Sequence, residues 1–273
     1  MNRPHGPESF DWRPPHEEDD ERSSGGSRGG GGGDDTQETG SRQPYQLDRP
    51  RGEVVYLRDD EMRSMRTVGA FRAVDQAELK ESSLAKPIRM GLMTRSQVIV
   101  RAGSNPVTVV ALSRKGRKLV EANSPQGQRY YSRICKPREL RHDLALYGAF
   151  REEAKDIEAR GGKVKRVVLD YEFKSQIARR LNMPEGPEQN VRRRELADEL
   201  KLPVIDDHLR LPDLRLEYED EHGHLKQEDI ELTTEHYRGA HRAATARSGF
   251  KLKAVSTSGR SPVTDNHHLK LFG

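Results

Sequence analysis

The sequence predicts an α+β protein with a polar N-terminal tail and two ordered segments, and three observations lead there. Ser96–Val100 and Val107–Leu112 are β-branched runs joined by a Gly-Ser-Asn-Pro turn, a hairpin pattern, and a basic helix over Arg114–Ala122 follows. Leu140, Leu144, Tyr147, Phe150, Ala154 and Ile157 recur at helical spacing ahead of several strand-like runs. Residues 1–50 carry GGSRGGGGGDD, EEDDER and several prolines with almost no periodic apolar positions, so they bury too little surface to offset their ordering entropy.

The elements are expected in the following order. Asp59 and Asp60 cap a helix over Glu61–Val74, carried by Met62, Met65, Val68 and Phe71. Asp75 opens a short helix over Gln76–Glu81, and Ser82–Ser83 cap a third that runs to about Met90. Pro87 lies near its first turn, which predicts a kink or a late start, and Gly91 stops it. After the hairpin, Ser113 occupies the N-cap position of the basic helix. A long helix from Pro137 ends at Gly161-Gly162. Val164–Phe173 reads as a buried strand, Gln176–Leu181 as a short helical piece, 182–190 as a loop and Arg192–Leu200 as a helix. Leu211–Tyr218 and Ile230–Thr234 read as strands around the polar turn Asp220–Lys226, followed by a helix over His236–Ser248 and a strand over Phe250–Val255. The domain division is a disordered acidic Gly-rich tail (1–50), a first ordered segment (51–136), a second (137–256) and a loose tail (257–273).

Charge is uneven. Residues 1–50 carry 6 Lys and Arg against 11 Asp and Glu, residues 51–140 carry 18 against 9, and residues 141–273 carry 24 against 24. The excess of positive charge therefore lies in the first ordered segment, where it suits a polyanion such as nucleic acid. The single cysteine, Cys135, excludes an intrachain disulfide or a four-cysteine zinc site and reads as a small buried hydrophobe. No apolar run approaches the about 20 residues of a membrane span and no signal-peptide pattern is visible, so a cytoplasmic protein without a membrane partner is expected. The glycine run at 29–33 lacks the strand and the Lys-Ser/Thr of a phosphate loop and reads as linker. His142, His208, His222, His224 and His267-His268 have no zinc-site spacing and read as solvated or capping residues.

Three helices, a hairpin with a cationic tip and a closing LSRKGRKLV stretch resemble a winged helix-turn-helix DNA-binding domain. The resemblance implies double-stranded DNA as partner, with the third helix in the major groove. Its DNA-binding side chains would be Lys86, Arg89 and Arg95, with Ser83 beside them. Arg101, Ser104 and Asn105 would act from the wing, and Arg114, Lys115, Arg117 and Lys118 would meet phosphates.

In the second segment, Asp213 opens one strand after Pro212 and Glu231 lies in the next, 18 residues on. The order helix, strand, strand, strand, helix, strand resembles the PD-(D/E)XK nuclease-like α/β fold. There an Asp and a Glu on neighbouring strands hold a divalent cation and a Lys two residues later helps activate water. The resemblance makes Asp213 and Glu231 candidate catalytic and metal-ligating residues. Thr233 stands where that Lys would be, which favours a degenerate, non-catalytic domain. The two acids should then be balanced by Arg215, Lys226 or Arg238 rather than by metal. Winged helix and nuclease-like domain together, with Leu112–Arg117, ELRHDLA over Glu139–Ala145, Leu211–Arg215 and Ile230–Thr233, resemble the replication-relaxation family of bacterial mobile elements. That family implies a role in plasmid replication or conjugal transfer, with no cofactor, and with a homodimer or other transfer and replication proteins as further partners. The alternatives are a Mg²⁺-dependent endonuclease using Asp213 and Glu231, and a transcriptional regulator whose C-terminal domain only dimerises.

Overall fold

The computed structural model describes residues 42–46, 54–100, 103–124, 127–134, 137–182, 186–233 and 246–255. Cys135, Arg101, most of the helix expected over His236–Ser248 and the tail from Ser256 lie outside the described residues. The chain divides at Thr39–Gly40, and Gly40–Gly273 forms a single unit of mixed α+β structure.

The ordered part begins earlier than the tail boundary at residue 50. Arg42–Gln46 (β1) pairs antiparallel with Val54–Arg58 (β2), Tyr45 opposite Val55. Asp59–Ala70 (α1) follows directly. Asp59, Asp60 and Glu61 place negative charge at its N-terminus, and the Glu61 carboxylate accepts the Arg58 N–H at 2.8 Å. Met62, Met65 and Val68 are buried on its inner face. The helix ends four residues short of the expected Val74, because Arg72 takes a left-handed conformation (φ 66°). Val74–Asp75 (β3) is instead drawn into a sheet against Val107–Leu112 (β5).

The expected second helix is only a 3-10 turn at Gln76–Glu78, capped by Asp75, whose carboxylate accepts the Ala77 N–H at 2.9 Å. A second 3-10 turn, Glu81–Ser83, leads into Ala85–Arg89 (α2), a late start that accommodates Pro87 in the first turn. Met93–Val98 (β4) pairs with β5 from Met93↔Leu112 to Val98↔Val107, and the three strands lie in the order β3-β5-β4. Arg114–Ala122 (α3) starts as expected: Ser113 Oγ accepts the Gly116 N–H at 3.0 Å. A Cβ on Gly116 would lie 1.9 Å from the Leu92 carbonyl oxygen, so only glycine lets α3 seat against the α2–β4 turn.

Pro137–Ala159 (α4) packs on a four-stranded sheet ordered β11-β10-β9-β6. The strands are Lys163–Leu169 (β6), Leu214–Glu219 (β9), Leu225–Thr233 (β10) and Lys251–Ala254 (β11). β6, β9 and β10 form an antiparallel meander, and β11 runs parallel to β10. Between β6 and β9 lie Asp170–Arg180 (α5), Pro187–Leu200 (α6) and a small hairpin of Val204–Ile205 (β7) and His208–Leu209 (β8). The strand expected over Val164–Phe173 stops at Leu169, because the Asp170 N–H turns to the Asp213 carbonyl (3.2 Å) and Phe173 and Ile177 form one helical face. α6 begins inside the expected 182–190 loop, with Pro187 as a compatible first residue.

One apolar cluster runs through both halves. Val68, Phe71, Leu112 and Tyr130 belong to the same core as Leu146, Phe150, Leu169, Leu214 and Ile230. Phe71 meets Tyr147 at 5.2 Å and Phe150 at 4.9 Å between ring centroids. Arg72 adds a polar tie, its guanidinium 4.0 Å from the Tyr171 ring centroid and 3.4 Å from Glu139.

Candidate functional site

Two chemically distinct surfaces hold the residues singled out above. The first is the set of basic and polar residues carried by α2, the β4–β5 connection and α3. Arg89 ends α2 and is exposed, as are Asn105 in the connection and Arg114 and Lys118 on α3. Lys115 and Arg117 are half-buried, and Arg117 lies 3.6 Å from Glu121, one turn along the helix. Two other cations serve the fold. The Lys86 ammonium donates to the Tyr56 carbonyl of β2. Arg95 is held 2.6 Å from Glu81. Ser83 is not a reader at all: it is fully buried, its hydroxyl 2.7 Å from that of Ser64 and donating to the Lys80 carbonyl.

The second surface is the end of the sheet where β6 finishes, β9 begins and β10 finishes. Leu214 pairs with Ile230 as the last pair of the β9–β10 ladder, so Asp213, in the bend before β9, lies at the end of the sheet that β10 reaches with Glu231. The Asp213 carboxylate is already engaged. Oδ2 accepts the Leu232 N–H at 2.8 Å, taking the place of a missing ladder partner, and Oδ1 lies 3.2 Å from His142 Nε2. Glu231 is half-buried opposite Leu252 of β11. Thr233 donates its hydroxyl to the Lys253 carbonyl at 3.3 Å, so it closes the β10–β11 ladder. Asp170 and Asp143 are buried nearby, Asp170 salt-bridged to Lys174 at 2.6 Å and Asp143 lying 3.7 Å from Arg72.

The cation beside Asp213 is not one of those expected. Arg215 turns to Asp229, at 2.6 and 2.8 Å, and to the carbonyls of Leu200 and Lys201. Lys226 is exposed at the far end of β10, and Arg238 lies outside the described residues. His142 fills the position. Burial pulls its imidazole down, but the hydrogen bond and charge of Asp213, with the charges of Asp170 and Asp143, outweigh that and raise it above the ordinary histidine value. The signal in the sequence was faint: His142 follows Leu140 and precedes Leu144 on a helix, with no metal-site spacing.

A further charged cluster lies where α4 crosses β10 and β11. Glu153, 1% exposed, and Glu228 share Lys251, whose Nζ lies 2.6 Å from one carboxylate and 2.8 Å from the other. Arg160 reaches Glu228 at 3.0 Å. Burial and the neighbouring Glu228 push the Glu153 carboxyl up from its ordinary value.

No family model, no curated protein and no solved structure matches the chain. Among the described residues no helix is long and apolar enough to cross a membrane.

Proposed function

We propose that this protein binds double-stranded DNA through a winged helix-turn-helix formed by α1 to β5, with a nuclease-like α/β domain that works as a binding or assembly platform rather than a catalyst. The observation that carries the reading is the β3-β5-β4 strand order with α2 immediately before β4. It is the arrangement in which a helix and a hairpin meet the same duplex. Arg89 on α2, Asn105 in the β4–β5 connection, and Arg114 and Lys118 on the following α3 are exposed. Arg89 is the base-reading residue, and Arg114 and Lys118 neutralise phosphates.

The order α4, β6, β9, β10, β11 supports a nuclease-like core, and the state of Asp213 supports its non-catalytic use. A carboxylate committed to a backbone N–H and a histidine has less capacity left for Mg²⁺, and Thr233 supplies no positive charge. With the sequence resemblance, this favours replication or conjugal transfer of a mobile element as the process served, with a homodimer or other transfer proteins as partners.

Duplex binding measured with the full chain tests the first part. Affinity that falls steeply between low and physiological salt is expected, and absence of duplex binding at low salt would overturn it. Nicking of supercoiled plasmid with Mg²⁺ or Mn²⁺, lost in both Asp213→Asn and Glu231→Gln, would replace the binding reading with a metal-dependent endonuclease.

A further inference from the structure

The β1–β2 hairpin lies in front of α1 and is built with two unlike faces. Tyr45, Val55 and Leu57 point inward, Val55 and Leu57 into the core. Register places Arg42 opposite Arg58, Pro44 opposite Tyr56 and Gln46 opposite Val54, so these six share the outward face. Tyr56 is 56% exposed and Val54 41%, an unusual exposure for neighbouring large side chains on one strand face.

This face is fixed against the basic elements. The Lys86 ammonium of α2 donates to the Tyr56 carbonyl, Arg58 donates to the Ser82 carbonyl at 2.6 Å, and Asn123 at the end of α3 donates to the Gln46 carbonyl at 2.8 Å. The hairpin therefore stands beside the helix that carries Arg89. Lys86 is held below the usual lysine range first by burial and then by Arg42, with Arg89 and Arg58 adding to it and Glu61 opposing. Arg42 faces Arg58 in the hairpin register, and Arg89 lies three residues beyond Lys86 on α2. Arg58 is balanced by Asp60 at 3.3 Å and Glu61 at 3.4 Å. Among the described residues no carboxylate forms an ion pair with Arg42 or Arg89. Arg42 and Arg89 are exposed beside these partly balanced cations, and a polyanion laid across them would gain from their charge.

We propose that the outward face of the β1–β2 hairpin is a second contact surface for the duplex, continuous with α2, with Arg42 neutralising a backbone phosphate and the Tyr56 hydroxyl donating to a phosphate oxygen. The inference rests on the DNA-binding reading above. The contact carries no base information, because neither group needs to enter a groove, so it adds affinity on every sequence alike.

The test uses the full chain and a short random-sequence duplex, with affinity measured over a salt series. Arg42→Ala should weaken binding about three- to tenfold and lower the log–log salt slope by about 0.9, the loss of one phosphate contact. Arg42→Glu should weaken it further, and Tyr56→Phe should weaken it without changing the slope. Both positions are exposed, so unchanged melting temperatures certify the fold of the variants. Hairpin variants that bind like the wild type, while Arg89→Ala binds more weakly, would overturn the hairpin contact and leave the DNA-binding reading intact. A wild-type chain that binds no duplex would overturn both.

Discussion

His142 Nε2 lies 3.2 Å from Asp213 Oδ1, while the other oxygen of that carboxylate takes the Leu232 N–H. Three elements are joined by this contact: α4, the chain entering β9 and the last residues of β10. The same geometry sets an imidazole against the Asp213 carboxylate and ties the helix to the sheet.

That contact makes stability depend on pH. A histidine raised in the folded state stabilises fully below its unfolded value, ordinarily 6.5, and the contribution fades as pH rises through the folded value. The melting temperature should therefore decline from about pH 6.5 upward, and His142→Asn should flatten that part of the profile. An identical slope in wild type and variant would assign the titration to other groups.

Gly116 gives a sharper test of packing. Gly116→Ala drives a methyl group into the Leu92 carbonyl and should cost roughly 1–3 kcal/mol or more, seen as a lower midpoint in urea unfolding. Ala at the exposed Gly148 of α4, where a Cβ meets nothing within 4 Å, should be neutral or slightly stabilising.

Phe71 tests the shared core. Phe71→Ala removes a ring that touches Tyr147 and Phe150 and should cost about 3–5 kcal/mol. Unfolding should stay a single transition seen alike by near- and far-ultraviolet circular dichroism, since one core serves both halves. Two separated transitions in the variant would mean that the halves fold independently.

Lys251 tests the carboxylate pair. Lys251→Met removes the ammonium shared by Glu153 and Glu228, leaving Arg160 near both and Lys253 near Glu153, and should cost on the order of 1 kcal/mol, because its side chain is 46% exposed and water screens part of the attraction. Adding Glu153→Gln to that variant should restore most of the loss. A double variant no more stable than Lys251→Met would place the cost elsewhere.

Local chemistry made some of this fold readable in advance. Ser113 ahead of a run of helix formers, and β-branched residues from Val107 to Leu112, state their structure within a few residues, and both stand as read. β1 was missed because Arg-Gln-Pro-Tyr-Gln has little strand character; its order comes from pairing with β2 across residues 47–53. The start of α5 reads as strand because Val164, Val167, Val168, Leu169, Tyr171 and Phe173 give the stretch strand character, and the Asp170–Asp213 backbone contact accompanies its end at Leu169. The approach of the chain at Asp213 to the end of β10 follows from spacing and turn, whereas the imidazole that meets Asp213, His142, lies 71 residues away on a helix face that sequence alone cannot aim. Arg95 and Lys86 looked like free cations for the same reason: Glu81 and the Tyr56 carbonyl that hold them are brought there by the fold.

The central claim is that α2, the β4–β5 hairpin and α3 present their cations to a duplex, and one measurement addresses it most directly. Affinity of the full chain for duplex DNA is followed over a salt series for the wild type and for a variant with Arg89, Arg114 and Lys118 replaced by Ala. The account predicts salt-sensitive binding by the wild type, and in the variant weaker binding with a salt slope smaller by about 1.8, close to 0.9 for each of the phosphate contacts of Arg114 and Lys118. Equal affinity and equal slope for the two proteins would contradict it.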